Sequence, residues 1–223
     1  MSKKSIAKSI RVITVPPFLV TTLLLLLYFL RPAFFYHIGQ LFAAIGFLAV
    51  LPTLAYPLSA LIPALRKKGR DGQRKLAFVT SGIGYVGGVI YCLLDRTTPQ
   101  LKFIFFTYLC SVFILIFFNK VLKLHASGHA CGIVGPLVIA VYFLGWYWLF
   151  PTALLAAGVA WSSLYLARHT KRDLAMGTLT AIASFCLCCA NSVTGTRMPE
   201  GVGGLVAPQP VRTTAVRSPD KIE

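Results

Sequence analysis

The sequence predicts an all-α integral membrane protein, a bundle of six to seven transmembrane helices. Hydrophobic residues make up 57% of the 223-residue chain and charged residues only 13%, about half the share typical of soluble domains. Several apolar stretches reach the roughly 20 residues that a helix needs to cross the hydrocarbon core of a bilayer. Lysine and arginine are concentrated in the short polar segments between these stretches, as is typical of multi-pass membrane proteins.

The apolar stretches divide the chain into a basic amino terminus (residues 1–11), a transmembrane helical domain (12–192) and a tail (193–223). Seven spans are predicted, at about 12–30, 41–64, 76–94, 101–120, 129–149, 151–167 and 173–192. Phe150-Pro151 is interpreted as a tight turn between the fifth and sixth spans. The tail is rich in Gly, Pro, Val and Arg without helical periodicity, so we expect it to be disordered.

The charge of the chain is strongly positive, +16 at pH 7. In a membrane protein, the partners that this charge favours are membrane lipids with anionic headgroups and lipid phosphates, and we expect no binding of nucleic acid. With seven spans, the amino terminus and the loops 66–75, 121–128 and 168–172 share one face and hold most of the 22 lysines and arginines. The positive-inside rule makes this basic face cytoplasmic, and the expected location is a bacterial or archaeal cell membrane.

Neither a metal nor a cofactor is expected. The six cysteines lie in or beside apolar stretches and are interpreted as small buried apolar side chains. Cys186, Cys188 and Cys189 have no histidine nearby in the sequence to complete the four ligands of a structural zinc site. The six acidic residues are too few and too scattered to build a two-metal centre.

Three polar clusters fall on the basic face: residues 66–75 (RKKGRDGQRK), residues 127–129 (SGH) and residues 168–173 (RHTKRD). In the second cluster, Ser127 can cap a helix whose free N–H groups bind an anion, and Gly128 lets the anion approach the backbone. His129 then lies where it can donate a proton. The alternative is that Ser127 only caps, that the glycines nearby are helix contacts, and that His129 bonds a neighbouring helix.

In the third cluster, His169 and Asp173 are four residues apart and share a face if the segment is helical. The carboxylate can then hold one imidazole N–H and make the other nitrogen nucleophilic. Alternatively, Thr170 and Asp173 form a capping box that starts the last helix. The cations of the first cluster are either a solvated loop or groups that neutralise phosphate oxygens.

Two of these clusters resemble motifs of the type 2 phosphatidic acid phosphatase superfamily. Residues 127–129 are similar to its Pro-Ser-Gly-His motif, and the segment 162–173 is similar to its Ser-Arg-(five)-His-(three)-Asp motif. Lys67 to Arg74 is a partial match to a Lys-(six)-Arg-Pro motif. The resemblance covers about residues 66–180, a phosphatase-like core. It departs from the family at Ala126, in place of proline, and at Ser163, in place of the arginine that binds phosphate.

The resemblance implies that His169 attacks phosphorus and forms a phosphohistidine, that Asp173 orients His169, and that His129 protonates the leaving alcohol. The candidates for binding the phosphate oxygens are Ser127, Gly128, Lys67, Arg74, Arg168 and Lys123.

The implied function is metal-independent hydrolysis of a lipid phosphate or diphosphate, such as an isoprenoid diphosphate, phosphatidic acid or phosphatidylglycerol phosphate. Two alternatives stay open: a non-hydrolytic lipid-phosphate binding or transport protein, and a purely structural membrane protein.

Overall fold

The computed structural model describes residues 2–67 and 69–195. All regular secondary structure in these two ranges is helical. The α-helices are, in chain order, α1 (Lys3–Ile13), α2 (Pro16–Leu30), α3 (Ile38–Ile45), α4 (Leu51–Thr53), α5 (Ala55–Leu61), α6 (Pro63–Lys67), α7 (Gly69–Leu94), α8 (Pro99–Ile116), α9 (Gly128–Leu144), α10 (Leu149–Tyr165) and α11 (Lys171–Gly195). A π-helical turn (Gly46–Val50) links α3 to α4, and a second one (Phe117–Val121) extends α8.

Several of these helical segments have the length and apolar composition of membrane spans. Within the described residues there are five: Ile38–Leu61, Gly72–Leu94, Pro99–Val121, Trp146–Tyr165 and Lys171–Asn191. The α1–α2 pair, bent by 55°, makes a sixth if it counts as one span. Helix α9 has 17 residues and is about 26 Å long at 1.5 Å per residue, shorter than a typical hydrocarbon core. The all-helical prediction is confirmed, and five or six segments qualify as full-length spans by length and composition, where six to seven were predicted.

The basic amino terminus forms a helix of its own. Helix α1 begins after Ser2, whose Oγ accepts a hydrogen bond from the backbone N–H of Ser5 at 3.2 Å. The predicted first span, residues 12–30, is therefore divided between the end of α1 and α2. Pro16 starts α2, because a proline in the first turn of a helix gives up no hydrogen bond that the helix would make.

The turn between α9 and α10 lies at Gly145, so the predicted turn at Phe150-Pro151 is wrong. Gly145 has a φ of +110°, in the region that favours glycine because it has no Cβ. A single 3₁₀ turn, Trp146–Trp148, then leads into α10. Pro151 lies in the first turn of α10, where a helix tolerates proline.

The main apolar core fills the end of the bundle opposite the polar clusters. Phe105 is fully buried in it and lies so close to Gly88 that a Cβ there would overlap the ring. Gln40 secures this end, since it is fully buried and its side chain donates to the carbonyl of Arg96 at 2.8 Å. The guanidinium of Arg31 donates to the carbonyl of Phe143 at 3.0 Å, near the end of α9.

At the other end, α9 and α11 meet at their first turns. A Cβ on Gly177 would overlap the carbonyl oxygen of Ser127 and would lie 2.8 Å from the Cβ of Ala130. The backbone N–H of Ser127 donates to the carbonyl of Asp173 at 3.0 Å. The second and third polar clusters are therefore joined by backbone contact.

Replacement of Gly177 by alanine should weaken this junction, because the added methyl group meets backbone atoms that cannot rotate away. We expect Gly177→Ala to lower the free energy of unfolding by about 1–3 kcal/mol, as is usual for overpacking, measured as a lower thermal midpoint in detergent. Gly158→Ala in α10 is the matched control, since a Cβ there meets no atom within 4 Å. Equal midpoints for the two variants would contradict the prediction.

Candidate active site

The end of the bundle that holds the polar clusters contains a cavity of about 800 Å³ between α1, α2, α5, α7, α8, α9 and α11. Its polar lining includes Arg11, Arg74, His125, Ser127, His129, Arg168, His169 and Asp173. Its apolar lining includes Val20, Leu48, Phe78, Val112, Leu115 and Ile139. Arg74, His125 and Arg168 are exposed to solvent, so they mark the mouth. Val20, Leu48 and Ile139 belong to the main core, so they mark the floor.

The segment before α9 is fixed by a side chain that the sequence did not single out, Asn119. The backbone N–H of Ala126 donates to Oδ1 of Asn119 at 2.9 Å, and Nδ2 of Asn119 donates to the carbonyls of Ala126 at 3.2 Å and Leu115 at 2.9 Å. Ser127 then caps α9, since its Oγ accepts from the N–H of Ala130 at 3.2 Å. The only feature of the sequence that points to this role is a single amide side chain within an apolar stretch.

The start of α9 leaves room for an anion beside Gly128. This glycine is exposed, and a Cβ built on it has only Leu115 Cδ1 within 4 Å, at 3.9 Å. The first N–H groups of an α-helix have no acceptor within the helix, and they carry the positive end of its dipole. A phosphate at this point therefore meets backbone donors without steric obstruction.

A Schellman motif at the end of α10 directs the chain toward the cavity. Ala167 has a φ of +50°, the N–H of Arg168 donates to the carbonyl of Ser163, and the N–H of Ala167 donates to the carbonyl of Leu164, both at 3.0 Å. This pattern ends a helix and reverses the chain direction. Arg168 and His169 follow at once and line the cavity.

The capping box proposed for the third cluster is present. The N–H of Thr170 donates to Oδ2 of Asp173 at 3.0 Å, and the N–H of Asp173 donates to Oγ1 of Thr170 at 3.1 Å. No hydrogen bond joins the Asp173 carboxylate to His169 in the described part of the chain. The carboxylate still interacts electrostatically with this imidazole, so Asp173 caps α11 and also acts on His169 through its charge.

The two motif histidines face each other across the cavity. The ring centroids of His129 and His169 are 6.0 Å apart and their planes differ by 12°. Nε2 of His129 is buried and has no hydrogen-bond partner among the described residues, so the alternative in which this nitrogen bonds a neighbouring helix is not what the structure shows. Both rings are thus positioned to contact one ligand.

The cations divide into those that reach the cavity and those that do not. Arg74 and Arg168 line it, whereas Lys67 and Lys123 are exposed and lie outside the described lining. Arg11 lines it as well and interacts electrostatically with both imidazoles. In the sequence, nothing distinguishes Arg11 from the other basic residues of the amino terminus.

The pKa of His169 is lowered from its ordinary value of 6.5. Burial is the main cause, the positive charges of Arg11 and Arg74 add to it, and the carboxylate of Asp173 opposes it. The neutral ring is therefore favoured at pH 7, and it has one nitrogen lone pair that can act as a nucleophile, a base or a hydrogen-bond acceptor.

Titration of His169 by NMR should place its pKa below 6.5, and Arg74→Ala should raise that pKa because a nearby positive charge is removed. Lys67→Ala is the control and should leave the pKa unchanged. By linkage, the preference for the neutral ring stabilises the fold fully above pH 6.5, and this stabilisation is lost as the pH falls through the pKa of the folded state. Identical titrations of His169 in the two variants would contradict the prediction.

Comparison with protein-family models finds none that matches the chain, and comparisons with curated proteins and with solved structures find no match either. The resemblance to the phosphatase superfamily therefore depends on the sequence motifs alone.

Proposed function

We propose that the protein is a membrane-embedded, metal-independent phosphatase that hydrolyses a lipid phosphate or diphosphate. The observation that carries the proposal is the meeting of His129 and His169 in one cavity that is basic at its mouth and apolar at its floor. A phosphate headgroup fits the basic mouth and a hydrocarbon chain fits the apolar floor. The positive-inside rule supports a cytoplasmic location for this mouth.

In the first step, the neutral imidazole of His169 attacks phosphorus and forms an N–P bond. The bond from phosphorus to the lipid oxygen breaks, and His129 gives that oxygen its proton. In the second step, water attacks phosphorus, its proton passes to His129, and the N–P bond breaks to release inorganic phosphate. Each step needs positioned cations more than covalent chemistry from the protein.

The groups that neutralise the phosphate oxygens in this scheme are Arg74, Arg168 and the N–H groups at the start of α9. Ser127 also joins the two helices, because its N–H donates to the carbonyl of Asp173 and its Oγ accepts from the N–H of Ala130. Its hydroxyl proton can still be donated to a phosphate oxygen, so Ser127 stays among the proposed phosphate-binding groups. The charge of Asp173 favours the imidazolium-like form of His169 that develops as the N–P bond forms.

A second candidate function is lipid-phosphate binding without hydrolysis. The observation that favours it is the engagement of the Asp173 carboxylate in the capping box, which leaves His169 without a hydrogen-bonded orienting group in the described structure. This candidate predicts thermal stabilisation by lipid phosphates or vanadate without release of phosphate. The hydrolytic proposal predicts thermal stabilisation and also the release of phosphate.

Purified protein in lipid nanodiscs should release phosphate from phosphatidic acid, phosphatidylglycerol phosphate or an isoprenoid diphosphate in the presence of EDTA. His169→Ala should reduce the release to background, because it removes the imidazole that forms the N–P bond in the proposed mechanism. His37→Ala serves as the control, since His37 is exposed and precedes α3 at the opposite end of the bundle. Full activity in His169→Ala would refute the phosphohistidine mechanism.

The role of His129 as proton donor can be tested with the leaving group. His129→Ala should lower the rate with a lipid phosphate by about 10²–10⁴-fold, the usual contribution of a general acid. The loss should be much smaller with p-nitrophenyl phosphate, because p-nitrophenolate leaves without a proton. His169→Ala should be inactive with both substrates. An equal loss for His129→Ala on both substrates would assign His129 to binding instead of proton transfer.

A further inference from the structure

Position 163, where the resemblance leads one to expect a phosphate-binding arginine, is a fully buried serine. Leu155, Val159 and Ser163 recur at intervals of four and therefore lie on one face of α10. Helix α1 packs against α10, and its Ile10 joins Val159 and Leu155 in one apolar cluster. The side of α10 that contains position 163 is thus covered by α1.

Arg11 follows Ile10 on α1 and is directed toward the cavity. It is partly buried, whereas the other three basic residues of the helix, Lys3, Lys4 and Lys8, are exposed. It lines the same cavity as His129 and His169, and its charge acts on both rings. Helix α1 therefore places one of its four cations at the two histidines and leaves the other three in solvent.

The corner between α1 and α2 holds Arg11 in this position. The backbone N–H of Thr14 donates to the carbonyl of Ile10 at 2.9 Å, and its Oγ1 donates to the same oxygen at 2.7 Å. Pro16 then packs against Gly132 of α9, where an added Cβ would come within 2.9 Å of the proline ring. Gly132 is one turn beyond His129, so this contact sets the distance between the α1–α2 corner and the proton donor.

We propose that Arg11 binds the phosphate of the substrate directly and supplies the cation that position 163 lacks. The guanidinium fork matches two phosphate oxygens at once, which a lysine ammonium does not. The proposal rests on the proposed function for the nature of the ligand, a lipid phosphate, but phosphate binding by Arg11 does not require turnover.

The test compares Arg11→Ala, Arg11→Lys and the matched control Lys8→Ala in full-length protein. The first readout is the steady-state kinetics of phosphate release from the lipid, and the second is the thermal shift caused by orthovanadate. Arg11→Ala should lower kcat/KM by about 10²–10³-fold, the size of effect seen when one preorganised donor to a developing charge is removed, and should abolish the vanadate shift. Arg11→Lys should recover part of both, and Lys8→Ala should behave as wild type.

The pH dependence supplies a readout that a merely structural role of Arg11 would not change. The groups that act on His169 are Arg11, Arg74 and Asp173, with His129 facing its ring. Removal of the Arg11 charge raises the pKa of His169, so the acid limb of the rate profile should move to higher pH in Arg11→Ala and not in Lys8→Ala. If Arg11→Ala does not fold, Arg11→Gln keeps a similar length without the charge and tests the same point.

The outcomes separate the two proposals. If the wild type releases phosphate and Arg11→Ala matches Lys8→Ala, the role of Arg11 is overturned and the hydrolytic function stands. If the wild type releases no phosphate but is stabilised by vanadate, and Arg11→Ala is not, hydrolysis is overturned and the role of Arg11 stands. A wild type with neither turnover nor a vanadate shift overturns both.

Discussion

The contact between α9 and α11 near their N-termini sets the geometry of the end of the bundle that holds the polar clusters. Gly177 brings one helix so close to the carbonyl of Ser127 that no side chain fits between them, and the N–H of Ser127 binds the carbonyl of Asp173. His129 lies two residues after Ser127 on α9, and His169 lies four residues before Asp173, in the segment that leads into α11. The separation of the two rings, 6.0 Å between centroids, is therefore fixed mainly by backbone packing. The segments that resemble catalytic motifs in the sequence therefore serve in large part to hold α9 and α11 in contact.

The cavity has a positively charged part and an apolar part, which match the phosphate and the hydrocarbon chain of a lipid phosphate. Guanidinium groups collect at its mouth, and core residues such as Leu48 and Ile139 form its floor. Burial and the nearby cations lower the pKa of His169, which favours the neutral ring. In the proposed mechanism, a proton donor beside these cations would carry a charge of the same sign. The negative charge of a bound phosphate would offset the guanidinium groups and stabilise a protonated imidazole next to them. The proposed substrate would therefore help to create the protonation states that its own hydrolysis needs.

Composition and apolar periodicity were sufficient to predict an all-helical chain and the approximate position of its apolar segments. The capping roles of Ser127 and of the Thr170–Asp173 pair were also predictable, because caps depend on residues within one turn. The turn at Gly145 was misplaced since Phe150-Pro151 has the composition of a turn, yet proline fits the first turn of a helix equally well. Arg11 and Asn119 were missed for a different reason. Their roles depend on which helix lies opposite, and nothing in the local sequence around either residue specifies that neighbour.

The bend between α1 and α2 also has a consequence for the order in which the chain is made. Helix α1 is synthesised before α10, and the surface of α10 that it covers is about 150 residues further along the chain. Ile10 therefore reaches Val159 only after α10 has been made, and Pro16 reaches Gly132 only after α9 has been made. Contacts between such distant segments form late, because the entropy of closing the intervening loop must be overcome first. The cavity is thus assembled from segments that are synthesised far apart in time, so the nascent protein acquires it only after α9, α10 and α11 have been made.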